Sequence, residues 1–432
     1  VQTQPIAPKI QVAPVPPRID INGGIPARSG LGADEAVRIA LKNQPSLDSA
    51  RFAIVSAEGR TQQSRAGLNP GLSTGASYTH ANVLSGNQSS GTTFGSSPGY
   101  LGTATARQLL FDFEHTRDLV RQSSLLEKVA ATGLTRAEND LALQVKQGFY
   151  TYVQAERLVS VNEANVQNQQ NHVALAEARL KSGLGLPSDV VRAQTAVAEA
   201  VLNLNLAQTT ASAARINLAA LMGIDPRTPI TAADSEEPNA GNGEIGALVN
   251  TATKQRPEIL QAQASIDAAD YGIRASRSTD SPSFAATLGV SSRGVDFPPR
   301  NDLFSVGASV TWTPFDGGLT RGKVKESQAN AGSARSQLAS AKLTVAQDVA
   351  QAYLGLKTSE QRLVTADAEI ANATESVRLT EGRYKSGLGT FIDVLDAQNS
   401  LLTAKTNRVN ALSAISQARA ALNRAVGAPL KR

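Results

Sequence analysis

The sequence predicts a mainly α-helical chain with a β-barrel portion, internally duplicated so that each half carries one long antiparallel helical hairpin and a pair of strands. Three observations predict it. The pentapeptide KSGLG occurs at Lys181–Gly185 and again, 204 residues on, at Lys385–Gly389. Apolar residues recur every seven positions through long proline-free stretches before each copy and again after it. In each half, two short blocks alternate apolar with small polar residues.

Composition narrows the classes. Only 4% of the 432 residues are aromatic and 41% are hydrophobic, so the apolar share is mostly Ala, Val and Leu, which suits closely packed helices. A formal charge of +5 with no Lys/Arg run argues against a nucleic-acid partner. Cysteine is absent, which removes disulfides and thiolate metal sites. The three histidines (His80, His115, His172) lack ligand spacing, so neither a metal nor a cofactor is expected. No run of 18 apolar residues is long enough for a transmembrane helix. No signal peptide is visible at Val1, so either the numbering starts at a mature chain or the protein stays inside, and the rest of the sequence must decide.

The duplication extends well beyond the pentapeptide. At the 204-residue shift, Phe111-Asp112 meets Phe315-Asp316, Arg179 meets Arg383, and Asp189-Val190 meets Asp393-Val394. Further upstream the shift is 212, as when Pro70 meets Pro282. The expected repeats are 31–224 and 244–428, and a unit near 200 residues is far too long for a solenoid.

In chain order, residues 1–30 hold six of the 19 prolines and predict an extended segment. A helix follows, then strands at about 72–83 and 100–110 around a polar loop at Ser85–Gly91. From Thr116 to Ser182 the heptad Val145, Tyr152, Val159, Val166, Val173 predicts one helix on the order of 100 Å long. The turn at 183–188 reverses it: Gly183 suits a left-handed cap and Pro187 the first position of the returning helix. There the seam is Val190, Val197, Leu204, Ala211, Leu218, flanked by Ala193, Ala200, Ala207 and Ala214. A Pro-, Gly- and Asn-rich linker covers 225–243.

The second repeat follows the same plan. Its strands fall at about 284–292 and 304–313, its long helix at Thr320–Ser386 and its turn at 387–392. Phe304, Val306, Ala308, Val310 and Trp312 form one strand face, with Ser305, Gly307, Ser309 and Thr311 on the other. Apolar outward and small-polar inward is the pattern of a barrel wall against lipid, so Phe304 and Trp312 are expected to face lipid. Ten of 18 aromatics fall within 72–113 and 284–315, which favours an interfacial girdle over a soluble sheet. Four strands cannot close a barrel, and lipid cannot satisfy an open edge. Several chains must therefore share one, and three would supply twelve strands.

This order of elements resembles the TolC-like outer-membrane efflux proteins. The resemblance rests on Arg179-Leu-Lys-Ser-Gly-Leu-Gly with Asp189-Val, and on Arg383-Tyr-Lys-Ser-Gly-Leu-Gly-Thr-Phe-Ile-Asp393-Val-Leu-Asp396-Ala-Gln. It implies a homotrimer whose 12-stranded outer-membrane barrel continues into a helical periplasmic tunnel. That trimer would be a passive exit duct of a tripartite efflux or type I secretion system, working with a periplasmic adaptor and an inner-membrane pump. It implies adaptor docking at Gly183, Leu184, Gly387 and Leu388, an entrance acid ring at Asp393 and Asp396, and closed-state latch candidates in Tyr384 and Asp189. Some relatives carry a lipidated N-terminal Cys, absent here, so no such anchor is expected. A latch residue of some relatives, a basic side chain just past the second-turn Gly, is replaced by Gly389. Arg192, the first-half counterpart of Asp396, is a candidate substitute that could pair with Asp396 of a neighbouring hairpin.

Simpler uses stand beside these. Asp189 and Asp393 fall at third helical positions, where a carboxylate complements the helix dipole. Asp396 shares a face with Asp393 by i, i+3 spacing, and crowding of such acids in a trimer should raise some pKa values and favour cations. Rival classes are a structural trimeric coiled-coil envelope protein, which would not need paired strand blocks, and an enzyme. The chain holds no G-x-S-x-G, P-loop or H-E-x-x-H, so no catalytic residue is expected.

Overall fold

The computed structural model describes residues 28–87, 91–233, 237 and 243–428. In chain order the elements are β1 (Arg28–Leu31), α1 (Ala33–Asn43), α2 (Pro45–Ala66), β2 (Gly71–Asn87), β3 (Gly91–Phe111), α3 (His115–Lys181) and α4 (Pro187–Leu221). After β4 (Ile230–Ala232) come α5 (Ile245–Gln255), α6 (Pro257–Arg277), β5 (Ser283–Gly294), β6 (Asn301–Thr311), α7 (Leu319–Lys385) and α8 (Phe391–Val426). The second repeat thus replays the first, helix pair then strand pair then hairpin. The expected Pro-rich segment 1–30 lies almost wholly outside the described residues. The chain divides into two compact units, one from the described parts of 1–48, 135–256 and 343–432, the other from 49–134 and 257–342.

The first unit is helical. Its core follows the heptads: Val145, Tyr152, Val159 and Val166 of α3 are buried, as are Ala193, Val197, Ala200, Leu204, Ala211 and Leu218 of α4. On α8 the seam runs through Val394, Ala397, Leu401, Ala404, Ala411, Ile415 and Leu422. Burying each Val or Leu contributes about 1.5–3 kcal/mol, and the alanines let backbones approach. Arg408 interrupts that apolar row; it is exposed and pairs with Asp367 at 2.7 Å. Two short parallel strands, β1 and β4, pair beside the helices, and Tyr152 donates a hydrogen bond to the Ile230 carbonyl at 2.6 Å.

The second unit carries one antiparallel sheet in the order β2-β3-β5-β6. Residues opposite one another share a face. Val310, Val306 and Phe304 stand opposite Phe284, Leu288 and Val290. Leu288 and Val290 in turn oppose Ala106 and Ala104 of β3, which oppose Leu72 and Thr74 of β2. One face is therefore largely apolar, with Thr74 the polar exception among these positions and Gln108, Ser292 and Asp302 nearer its ends. The other carries Ser305, Gly307 and Ser309 against Gly289, Thr287 and Ala285, and continues through Thr103 and Thr105 to Gly75 and Ser73. A register shift between Leu109 and Phe111 places one extra residue on β3, a bulge at the sheet's margin.

Several strand boundaries differ from the sequence expectation. β2 and β3 run to Asn87 and from Gly91, so most of the expected polar loop is paired strand. Ladder pairing needs only backbone groups, and Ser, Thr and Gly supply those as well as apolar residues do. Trp312 lies one residue past β6, rather than within it, and is exposed together with Phe304.

The long helices start alike. Asp112 accepts from the Thr116 amide at 2.9 Å, and its counterpart Asp316 accepts from the Thr320 and Gly318 amides at 2.6 and 2.9 Å. A carboxylate there satisfies amides the helix cannot.

Candidate functional site

The two KSGLG turns end α3 and α7 in the same way. Gly183 and Gly387 have φ of 75° and 77°, the left-handed conformation that glycine adopts without strain. The Leu184 amide donates to the Arg179 carbonyl and the Gly183 amide to that of Leu180, both at 3.0 Å. Leu388 and Gly387 repeat this onto Arg383 and Tyr384 at 2.8 and 3.1 Å. This bond pair closes the orphan carbonyls of a helix end, and an apolar residue at the Leu184 position normally packs back on the helix. Here Leu184 and Leu388 are 73% and 75% exposed. Their side chains do no work inside one chain.

The fifth residue of the motif has a separate requirement. A Cβ on Gly185 would lie 2.9 Å from the Leu180 nitrogen and 3.0 Å from the Arg179 Cβ, and one on Gly389 would lie 3.0 Å from the Arg383 Cβ. The turn folds directly over each arginine.

The returning helices start differently, and this separates the two aspartates. Thr390 caps α8 with a reciprocal box: its hydroxyl accepts from the Asp393 amide, while Asp393 accepts from the Thr390 amide at 3.1 Å and hydroxyl at 2.8 Å. These bonds hold the Asp393 carboxyl below its usual range. At the head of α4 the cap is Leu186, whose side chain has no hydrogen-bonding group. Asp189 is thus left to accept the Tyr384 hydroxyl at 3.2 Å.

Tyr384 is the centre of a small buried cluster with Ala176, Ala193, Phe391 and Val394. Burial, then the Asp189 charge, pushes its phenol above the ordinary value. The Arg179 guanidinium lies 4.6 Å from the Tyr384 ring centre and donates to the carbonyls of Tyr384 (2.6 Å), Lys385 (2.9 Å) and Leu184 (3.2 Å). One cation thereby ties the end of the first hairpin to the end of α7. Next to it His172 is buried, edge-on to Phe391 and 3.9 Å from Glu381. Burial lowers its pKa against the opposing pull of Glu381.

Of the residues the sequence singled out, Tyr384 and Asp189 are brought together. Asp393 and Asp396 are exposed on the first turns of α8. Arg192 is also exposed and lines a groove with Asn165, Gln169, Glu199 and Leu395; it makes no ion pair with Asp396 within the chain. Sequence reasoning passed over Arg179, His172 and Thr390. The signal for Arg179 was present in its alignment with Arg383; a buried histidine has no such signature. Among the described residues no cluster of His, Asp and Glu could hold a metal ion.

Comparison with known proteins places this architecture. A family model described as outer membrane efflux protein matches residues 36–224 and 248–428, the two repeats. The outer membrane efflux protein BepC of Brucella suis biovar 1 is 26% identical over 326 residues, covering 74% of this chain and 70% of that protein. The outer membrane protein TolC of Escherichia coli K12 is 24% identical over 375 residues, 82% of this chain and 73% of that protein. With other curated relatives the matched share of their own length falls to 65% and 61%, so the chain spans about two thirds of such proteins. The crystal structure of the outer membrane protein VceC from Vibrio cholerae shares the fold at a TM-score of 0.78 and 22% identity, covering 92% of this chain and 97% of that one. With nearly all of both repeats matched, the chain belongs to the outer membrane efflux protein family.

Proposed function

We propose that this outer-membrane protein works as a homotrimer, a passive exit duct into which a periplasmic adaptor and an inner-membrane pump deliver cargo. The observation that carries this reading is the four-stranded sheet. It is mostly apolar on one face and mostly small or polar on the other, and β2 and β6 are edge strands. In a bilayer those edges must be satisfied, and a second copy can do so by pairing its β2 with β6 of the first. Three copies give a closed twelve-stranded wall with a polar bore. The hairpin turns, with their exposed leucines, are the proposed adaptor contacts: Gly183 and Leu184 in one, Gly387 and Leu388 in the other. Asp393 and Asp396 are proposed to line the entrance, and Tyr384 with Asp189 to hold it closed. No catalytic role is proposed.

Purified protein in detergent should have the mass of three chains, and should form discrete ion-conducting pores in a planar bilayer. A monomer with its strands intact, or a trimer that passes no current, would overturn the reading.

A further inference from the structure

The internal duplication makes the contact between the two hairpins of one chain a template. Arg179, on the first hairpin, donates to the Tyr384 and Lys385 carbonyls at the end of the second. Arg383 is its counterpart on the second hairpin, and the residues equivalent to Tyr384 and Lys385 are Leu180 and Lys181 on the first. Within one chain this second contact is not made. Arg383 is exposed and its side chain donates no hydrogen bond among the described residues. Neither the Leu180 nor the Lys181 carbonyl receives a side-chain donor there.

We propose that Arg383 does between copies what Arg179 does within one: its guanidinium donates to the main-chain carbonyls of Leu180 and Lys181 in the adjoining subunit. This rests on the trimeric reading above. Three features support it. The backbone around the two arginines is the same, since both turns close with the same bond pair and both keep glycine over the arginine, at 185 and 389. The order of charged residues in the sequence also repeats, although the second pair is not closed within the chain. Lys385, whose carbonyl Arg179 reaches, carries its ammonium to Glu381 at 3.3 Å, and Glu177 stands at the same spacing before Lys181. Finally, a second hairpin followed by the first hairpin of another copy is a head-to-tail interface, and such interfaces close into rings when the rotation allows.

The template is copied only in part. Leu180 has no hydroxyl to match Tyr384, and Asp393, the counterpart of Asp189, is already engaged by Thr390. Between copies the arginine therefore acts without the tyrosine–aspartate bond that accompanies it inside the chain.

The chain has no cysteine, which makes the test direct. Arg383→Cys combined with Lys181→Cys, treated with a short bis-maleimide, should give covalent two- and three-chain products. Arg179→Cys with Lys385→Cys should link within single chains and stay at one-chain mass. Native mass of the same samples is measured before linking. A trimer whose Arg383/Lys181 pair gives no inter-chain product overturns this contact alone; a monomer overturns it together with the trimeric reading. As a second measurement, Arg383→Ala should shorten the trimer's lifetime in detergent by about tenfold or more, the scale of a lost hydrogen bond to a charged group. Arg383→Lys should recover part of it, and an unchanged lifetime in Arg383→Ala counts against the contact.

Discussion

Glycine serves two different ends within KSGLG, and substitution should separate them. Gly183 and Gly387 need only a positive φ, with open space around any added Cβ, so alanine there should cost about 1 kcal/mol. Gly185 and Gly389 need room, because an added Cβ meets backbone or Cβ atoms at about 3 Å. Gly185→Ala or Gly389→Ala should therefore cost more, about 1–3 kcal/mol, read by thermal unfolding and by faster amide exchange at Leu184 or Leu388. A basic side chain at position 389 would meet the same crowding, since any Cβ there would start by pushing Arg383 aside. His172 yields a pH prediction at this scale. Burial depresses its folded pKa below the ordinary 6.5, so the fold is undisturbed while the imidazole is neutral and loses stability as pH falls through 6.5 toward the folded value. Glu381 opposes the depression and Lys385 adds to it. His172→Gln should flatten the melting temperature between pH 7 and 5; an unchanged slope would rule out this histidine as the source.

At the scale of elements, what was legible follows from what repeats. The long helices were expected from Thr116 to Ser182 and from Thr320 to Ser386, and they run His115–Lys181 and Leu319–Lys385, because a heptad sustained over many turns has no competing period. Strand ends were less legible: Ser, Thr and Gly pair as readily in a ladder as they form a loop, so the β2–β3 hairpin outruns its alternating core. Least legible was the linker. Its acidic, Gly- and Asn-rich composition reads as surface, yet Glu237 within it is only 1% exposed. Lys146 donates to it at 2.6 Å, Tyr150 at 3.0 Å and Asn423 at 3.1 Å, so residues from α3 and α8 clasp a single carboxylate. Composition cannot show a partner three helices away. Glu237→Ala strands the buried end of Lys146, which keeps Asp34 at 2.9 Å, and should cost about 3 kcal/mol. Denaturant unfolding would measure it, and a loss under about 0.5 kcal/mol would mean the linker is not anchored there. On the sheet, Phe304→Asp should reduce the amount of membrane-assembled protein by placing a charge in hydrocarbon, whereas Ser305→Asp, on the polar face, should be tolerated.

For the whole molecule, the proposed threefold assembly would crowd carboxylates where the second hairpins are proposed to converge, and the single chain shows that these acids are not equivalent. Asp393 spends one oxygen on the Thr390 amide and hydroxyl, at the positive end of α8, and its carboxyl is held below the usual range. Part of its charge is thereby answered at home. Asp396, one turn on, is exposed and has no side-chain partner among the described residues. The field that draws cations should then come more from Asp396 than from Asp393. In a planar bilayer under a salt gradient, the trimer should show a cation-selective reversal potential, and divalent cations should reduce its conductance. Asp396→Asn should lose the larger share of both. Asp393→Asn keeps an acceptor for the Thr390 cap and should lose less, while Asp393→Ala should add a small stability cost by removing the cap partner and the charge at the helix start. The ranking follows from the capping box, so removing the cap should erase it: in a Thr390→Ala background, Asp393→Asn and Asp396→Asn should shift selectivity by similar amounts. Wild-type selectivity in the double Asp393→Asn, Asp396→Asn trimer would move the cation-attracting ring away from the head of α8 altogether.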